Sequence, residues 1–302
     1  DALLTGDRLI ASQPLAFTQN EGQWDNRVAY QARAGSATIW FANDGVYYHL
    51  QREKATPVES GIVSLPTEGD EQLESMVLRT WVISTKTMPR PLAQGELKYK
   101  CNYFLGDDPT HWHTDVCNYS AILYPNVYDG IDLKYFGNDR QLEYDFIVHP
   151  GADPNQIEVK YEGCESMDVT ADGDLVIRTA WGEIVEKAPA IYQDSAGTRI
   201  PVKGQYVLRD ERHFGFQVTG QYNQALALVI DPVLTFSTYL GGSADIDEAH
   251  AIAVNLAGES VICGRTLSSN FPVINALDPF YSSGDGFVTK FGPGGSPIFS
   301  TF

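Results

Sequence analysis

Three carboxylates, Asp245, Asp247 and Glu248, fall within four residues shortly after the Gly241-Gly242 pair. Calcium takes several oxygen ligands at once, often from acids clustered on a turn, so this is the chain's calcium candidate; the competing reading is a solvated acidic turn. Asp129-Gly130-Ile131-Asp132 and Asp172-Gly173-Asp174 also set acids around a glycine but lack the remaining ligand series and the distal glutamate, and read as turns. His111 and His113 alternate, with Asp115 beyond. That spacing puts two imidazoles on one side of an extended segment, too few ligands for a metal without a third cluster, and the default is hydrogen-bonding surface histidines. Glu143 and Asp145 share one strand face, a spacing open to a hydrolytic carboxylate pair and more simply explained as charges on a solvated face. No G-x-S-x-G, H-E-x-x-H or phosphate-loop pattern occurs, and no catalytic residue is assigned.

The four cysteines, Cys101, Cys117, Cys164 and Cys263, form no C-x-x-C pair, which argues against zinc or redox chemistry. Cys101 and Cys117 flank a short Asp/Pro/His loop; a disulfide there would contribute about 3 kcal/mol, and two free thiols are the alternative. Cys263, in the run Ser260-Val261-Ile262-Cys263, reads as a small buried hydrophobe. Trp24, Trp112 and Trp181 are candidates for stacking on sugar rings. Trp24 and Trp112 are expected to be mostly buried, since glycine or proline neighbours turn the chain around them.

The elements that position these residues read as strands. Ala37–Ala42 and Val46–Leu50, about Asn43-Asp44-Gly45, predict a hairpin. Residues 51–75 read as a long exposed loop. Strands are expected at Val77–Ile83, Ser120–Leu123, Ile131–Phe136, Gln141–Val148, Ile157–Tyr161, Leu175–Thr179, Glu183–Lys187, Ala190–Gln193, Gly204–Leu208, Phe214–Val218 and Leu226–Ile230. Toward the C-terminus they are expected at Ala251–Val254, Ser260–Gly264 and Gly286–Phe291, and Phe236-Ser237-Thr238-Tyr239 recurs as Phe299-Ser300-Thr301-Phe302. No helical periodicity runs beyond two turns, so the fold class is all-β.

Composition agrees. The 302 residues hold 27 glycines, 16 prolines and 35 aromatic residues (16 Tyr, 14 Phe, 5 Trp), a mixture suited to many short strands joined by turns. The 39 acidic and 21 basic residues leave a net charge of −18, which repels phosphate backbones and excludes nucleic acid as the expected partner. No apolar run approaches the roughly 18 residues of a membrane-spanning helix. The opening Asp1-Ala2-Leu3-Leu4, without Met, reads as a processed mature terminus.

Five submotifs in order, Ser237-Thr238-Tyr239-Leu240-Gly241-Gly242, Ala251-Ile252-Ala253-Val254, Ala257-Gly258, Gly264 to Pro272 (GRTLSSNFP) and Asp285-Gly286-Phe287-Val288-Thr289-Lys290-Phe291, resemble the SBBP β-propeller repeat of bacterial exported proteins. Asn255, where that pattern usually has Asp, and Glu259-Ser260-Val261-Ile262 depart from it. Asn20-Glu21-Gly22-Gln23-Trp24, Asn102 to Trp112, Val127 to Leu133, Leu142 to Val148, Pro150 to Pro154 and Leu228 to Pro232 resemble the uncharacterised domain that precedes such repeats. The resemblance implies an antiparallel, sandwich-like β-domain over 1–232, with a subdivision near 95 left open, and over 233–302 one propeller-type blade with the start of a second. It also implies an extracellular or cell-surface location, reached through a cleaved signal peptide. The expected role is a non-catalytic structural or adhesive module, with protein partners or identical subunits added strand to strand; the alternative is a glycan-binding module of a larger exported protein. No cofactor is expected apart from the calcium candidate.

Overall fold

A computed structural model describes residues 15–34, 37–53, 73–84, 88–138, 141–195, 197–232, 234–235, 240–242, 245–255, 259–292 and 297–302. The chain is all-β, in large antiparallel sheets. The helical segments described are two 3-10 turns, Pro109–His111 and Pro154–Gln156, each capped by an aspartate side chain (Asp108, Asp153) and begun by a proline. The chain divides into two compact units: Asp1–Leu50 with Met76–Thr235, and Gln51–Ser75 with Phe236–Phe302.

The first unit runs β1 (Phe17–Gln19), β2 (Val28–Ala34), β3 (Ala37–Ala42), β4 (Gly45–Glu53), β5 (Leu73–Val82), β6 (Leu92–Tyr103), β7 (His113–Tyr128), β8 (Ile131–Asn138) and β9 (Gln141–Val148). It continues through β10 (Glu158–Glu162), β11 (Ser166–Val169), β12 (Leu175–Thr179), β13 (Gly182–Glu186), β14 (Ala190–Ser195), β15 (Thr198–Pro201), β16 (Gly204–Leu208), β17 (His213–Val218), β18 (Leu228–Asp231) and β19 (Leu234–Thr235). One sheet of 15 strands has the order β15-β14-β18-β9-β8-β7-β1-β2-β3-β4-β5-β10-β17-β16, with β6 paired to β7 off that path. Its two ends, β15 and β16, are separated in the chain by Val202 and Lys203 alone, so the sheet has to turn back on itself.

The inward residues share one core. β8 buries Ile131, Leu133 and Tyr135 and leaves the residues between them half-exposed, the period-two pattern of a strand with one dry face. Ring contacts carry the packing across distant strands: Phe17–Phe41 and Phe41–Tyr135 at 5.2 Å, and Phe146–Phe216 at 5.7 Å. A four-stranded sheet, β11-β12-β13-β19, adds Met167, Leu175 and Ile177 to the same cluster.

The second unit holds β20 (Asp247–Val254), β21 (Ser260–Thr266), β22 (Asp285–Phe291) and β23 (Pro297–Thr301), paired in that order. Phe271, Phe287 and Phe291 are its buried rings. Ile252 and Val254, by contrast, are 64% and 65% exposed.

The expected hairpin is present, with Ala42 paired to Gly45. Strands on both sides of residue 95 share the large sheet. Of the loop expected over 51–75, residues 51–53 and 73–75 are strand, and the remainder lies outside the described residues, as does the first repeat copy Phe236–Tyr239. Cys263 is exposed rather than buried, because its side of β21 is uncovered among the described residues.

Candidate functional site

A groove of about 450 Å³ lies on the outer face of β2–β5, lined by Trp24, Asp25, Arg27, Trp40, Asp44 and Tyr47, among others. Alternation along β3 buries Ile39 and Phe41, so Trp40 faces outward, in register with Tyr47 of β4. Trp24 comes from the segment between β1 and β2, whose backbone is held by the Asn20 and Gln23 side chains. Asn20 Nδ2 donates to the carbonyls of Trp24, Asp25 and Val28, and its Oδ1 accepts from the N–H groups of Gly22 and Trp24. So fixed, the Trp24 ring meets Trp40 edge-on at 5.4 Å and Tyr103 at 5.2 Å.

The hairpin turn supplies the polar edge. Gly45 has φ +146°, and a Cβ there would sit 2.7 Å from the Thr80 carbonyl. The turn thus brings Asp44 close to β5, where Arg79 Nη2 donates to the Asp44 carbonyl (2.6 Å) and carboxylate (3.3 Å), and Tyr47 Oη donates to the same carboxylate at 2.8 Å. Arg79 is clamped between rings, 5.2 Å from Tyr47 and 4.3 Å from Trp81, and Lys160 Nζ lies 4.9 Å from the Trp81 ring. Opposite, Arg27 grips Asp25 through two bonds of 3.0 and 2.9 Å, which hold that carboxyl at about 2. Partial burial raises the Tyr47 phenol, leaving it a donor at neutral pH. Outward rings beside paired carboxylates and guanidinium groups can stack on an apolar ligand face while offering donors and acceptors to hydroxyl groups.

Sequence expectations meet this geometry unevenly. Trp24 lines the groove, half-buried. Trp112, expected to be buried, is 40% exposed: it leans on Phe104 and donates its indole N–H to the Gly106 carbonyl, so its own loop holds it away from the core. Trp181 is half-buried in the turn between β12 and β13. The bridge expected between Cys101 and Cys117 does not form; both thiols are free. Register explains it, because Cys101 pairs with Val116 and Cys117 with Lys100, so the two side chains leave opposite faces of the ribbon. Cys101 lies beside Asn118, and Cys117 beside Glu96.

The calcium candidates do not converge either. Asp247 and Glu248 are successive residues of β20 and point to opposite sides. Asp247 accepts from Gly242 N–H and Ser268 Oγ, Asp245 bonds the Ile246 N–H, and Glu248 faces His250. Among the described residues, no three histidine, cysteine or acidic side chains are grouped to hold a metal. His111 is exposed beside Asp108, in the 3-10 turn, while His113 begins β7.

Glu143 and Asp145 do share a face of β9, but it is not the solvated face expected. Glu143 is buried and accepts from Asn138. Asp145 is pushed up to about 7 by burial and by Asp231, the next residue in register after the Ile230–Phe146 pair. Asp231, on a strand about 85 positions away in the chain, is a partner that local reading has no means of assigning.

A second buried acid escaped the sequence reading altogether. Glu186, fully buried, accepts from Tyr161 at 2.7 Å, Tyr144 at 2.8 Å and Tyr206 at 3.2 Å. Desolvation raises its carboxyl and the three hydroxyls pull it back. Alternation along β13 marks Glu186 as inward-facing, but no local signal names tyrosines from β9, β10 and β16 as its partners. The cluster is closed within the core and braces it.

Among the described residues, no helix is long and apolar enough to cross a membrane. Residues 17–233 match the family model of a domain of unknown function, DUF7948. No curated protein and no solved structure matches the chain.

Proposed function

The chain belongs to the DUF7948 family, and on that footing we propose that it is a non-catalytic adhesive module of an exported, cell-surface protein, which binds saccharide chains in the Trp24–Trp40–Tyr47 groove. The observation that carries this reading is a row of outward rings in an open groove, flanked by carboxylates already engaged by cations or hydroxyls. Sugar rings offer aliphatic faces for stacking and hydroxyls for the polar edge. Binding rather than turnover rests on the state of Asp25, whose carboxyl the Arg27 guanidinium holds at about 2, far from the poise of a proton donor. The first unit is proposed as a sandwich-like domain and the second as a propeller-type blade, the latter resting on the resemblance to SBBP repeats. Exposed Ile252 and Val254 on the edge strand β20 favour strand addition by a neighbouring repeat or copy.

Titrating the protein with a panel of oligosaccharides while following tryptophan fluorescence tests the groove. Saturable quenching that Trp40→Ala abolishes is the expected result. Silence across the panel, or quenching that survives Trp40→Ala, would overturn the assignment.

A further inference from the structure

Resting on the groove as a saccharide site, we infer that it selects neutral pyranosides over acidic ones, and that Asp44 makes the selection with Arg79 as its positioning residue. The ionisable groups lining the groove are two carboxylates, Asp25 and Asp44, with the guanidinium of Arg27 and the imidazole of His49. That guanidinium gives Nε and Nη2 to Asp25, so the pair presents a ligand anion with no net positive charge. An incoming uronate or sulfate would meet carboxylates whose cations are already engaged, on a chain whose net charge is −18, so it gains no free counter-charge for the water it gives up. A hydroxyl group is different, because it donates and accepts together. Beside Asp44 it can donate to the carboxylate while accepting from the groove's donors.

Asp44 is built for that use. It sits in the tight turn of the β3–β4 hairpin, and its carboxylate is oriented by Tyr47 Oη and by Arg79 Nη2. Arg79 is in turn held by the Tyr47 and Trp81 rings, and its side chain is 25% exposed against 51% for Asp44. The acid is therefore presented to solvent while the cation that fixes it stays behind, between aromatic rings. Arg79, which also reaches Glu162 at 3.5 Å, fixes Asp44 without lining the groove, an arrangement that favours a neutral polyol over an anion.

The test is calorimetric titration of the whole chain with neutral hexasaccharides (gluco-, manno-, galacto- and xylo-configured) and with hexagalacturonate and a sulfated heparin hexasaccharide. At least one neutral hexasaccharide is expected to bind with an affinity unchanged between 0.05 and 0.5 M NaCl, and neither acidic one to bind. Asp44→Asn should weaken the neutral ligand about ten- to a hundredfold, the loss of one charge-assisted hydrogen bond. Arg79→Met should weaken it less, and a matched deoxy-sugar should lose its penalty in that variant, which a purely structural role for Arg79 would not produce. Circular dichroism that matches the parent shows that each variant is folded. Tighter, salt-sensitive binding of an acidic hexasaccharide, abolished by Trp40→Ala, would overturn the selectivity and leave the groove standing. Absence of binding by all six would overturn the groove itself, and neutral binding indifferent to Asp44→Asn would overturn the role of Asp44.

Discussion

The two units use the same strand grammar with opposite outcomes for burial. In β8 of the first unit, alternate residues are buried and the rest half-exposed; in β20 of the second, every residue after the first is exposed, Ile252 and Val254 included. The difference lies in what covers each sheet. The first unit's long sheet turns back on itself and takes a second sheet into its core. Among the described residues, the second unit's four strands bury Phe271, Phe287 and Phe291 and leave β20 at the edge of its sheet. Apolar alternation therefore reports a strand, but only topology decides whether its apolar face is dry.

The contrast breaks most sharply at Glu186. Removing it leaves the Tyr144, Tyr161 and Tyr206 hydroxyls buried without their acceptor. Glu186→Ala should cost about 3–5 kcal/mol, since each buried hydroxyl left without a partner costs roughly 1–3 kcal/mol, while Glu186→Gln, which keeps an acceptor oxygen, should cost less. All five tryptophans lie between residues 24 and 181, so the urea transition seen by tryptophan fluorescence reports the first unit alone. An Ala variant that unfolds within about 1 kcal/mol of the parent would deny the core its dependence on this network.

A smaller effect, opposite in sign, is expected at Asp145. Burial and Asp231 raise its carboxyl to about 7, so between the ordinary carboxylate value and about 7 the native chain holds a proton that the unfolded chain has lost. Stability from this group is whole below that window and lost as pH rises through it. Asp145→Asn should therefore stabilise the first unit at pH 8 by about 1–2 kcal/mol, a figure discounted because the side chain is partly exposed, and change nothing near pH 3.5. Urea titrations at the two pH values check it; equal midpoint shifts at both would show that Asp145 is not the group that titrates.

These residues also mark what was legible in the chain. Hairpin β3–β4 and strands β8, β9 and β12 follow from local alternation and turn chemistry, and Asn43-Asp44-Gly45 places the polar edge of the groove. β6, reading LAQGELKYKCNY, has no apolar period, because none of it is buried and its partner β7 supplies the order. The groove needed Trp40 and Tyr47 to be recognised as outward, which depends on Ile39 and Phe41 facing the core. Register likewise decides the two cysteines, since a one-residue offset separates a bridge from two thiols on opposite faces.

The smallest effect falls in the second unit and tests the comparison directly. Ile39 and Ile252 are the same residue on central and edge strands, 2% and 64% exposed. Converting Ile39 to Thr exchanges buried methylene surface for a hydroxyl in the dry core and belongs to the costly class. Ile252→Thr removes a side chain that water already reaches and keeps β-branching suited to a strand, so it should shift stability by no more than about 0.5 kcal/mol. Tryptophan fluorescence is blind to it, so hydrogen exchange of the β21 amides is the measurement, with peptide protection expected to match the parent. If the face is covered by a neighbouring repeat or a second copy in solution, the same substitution uncovers an interface. Protection across β20 and β21 then falls with dilution, and the contrast between the two units closes.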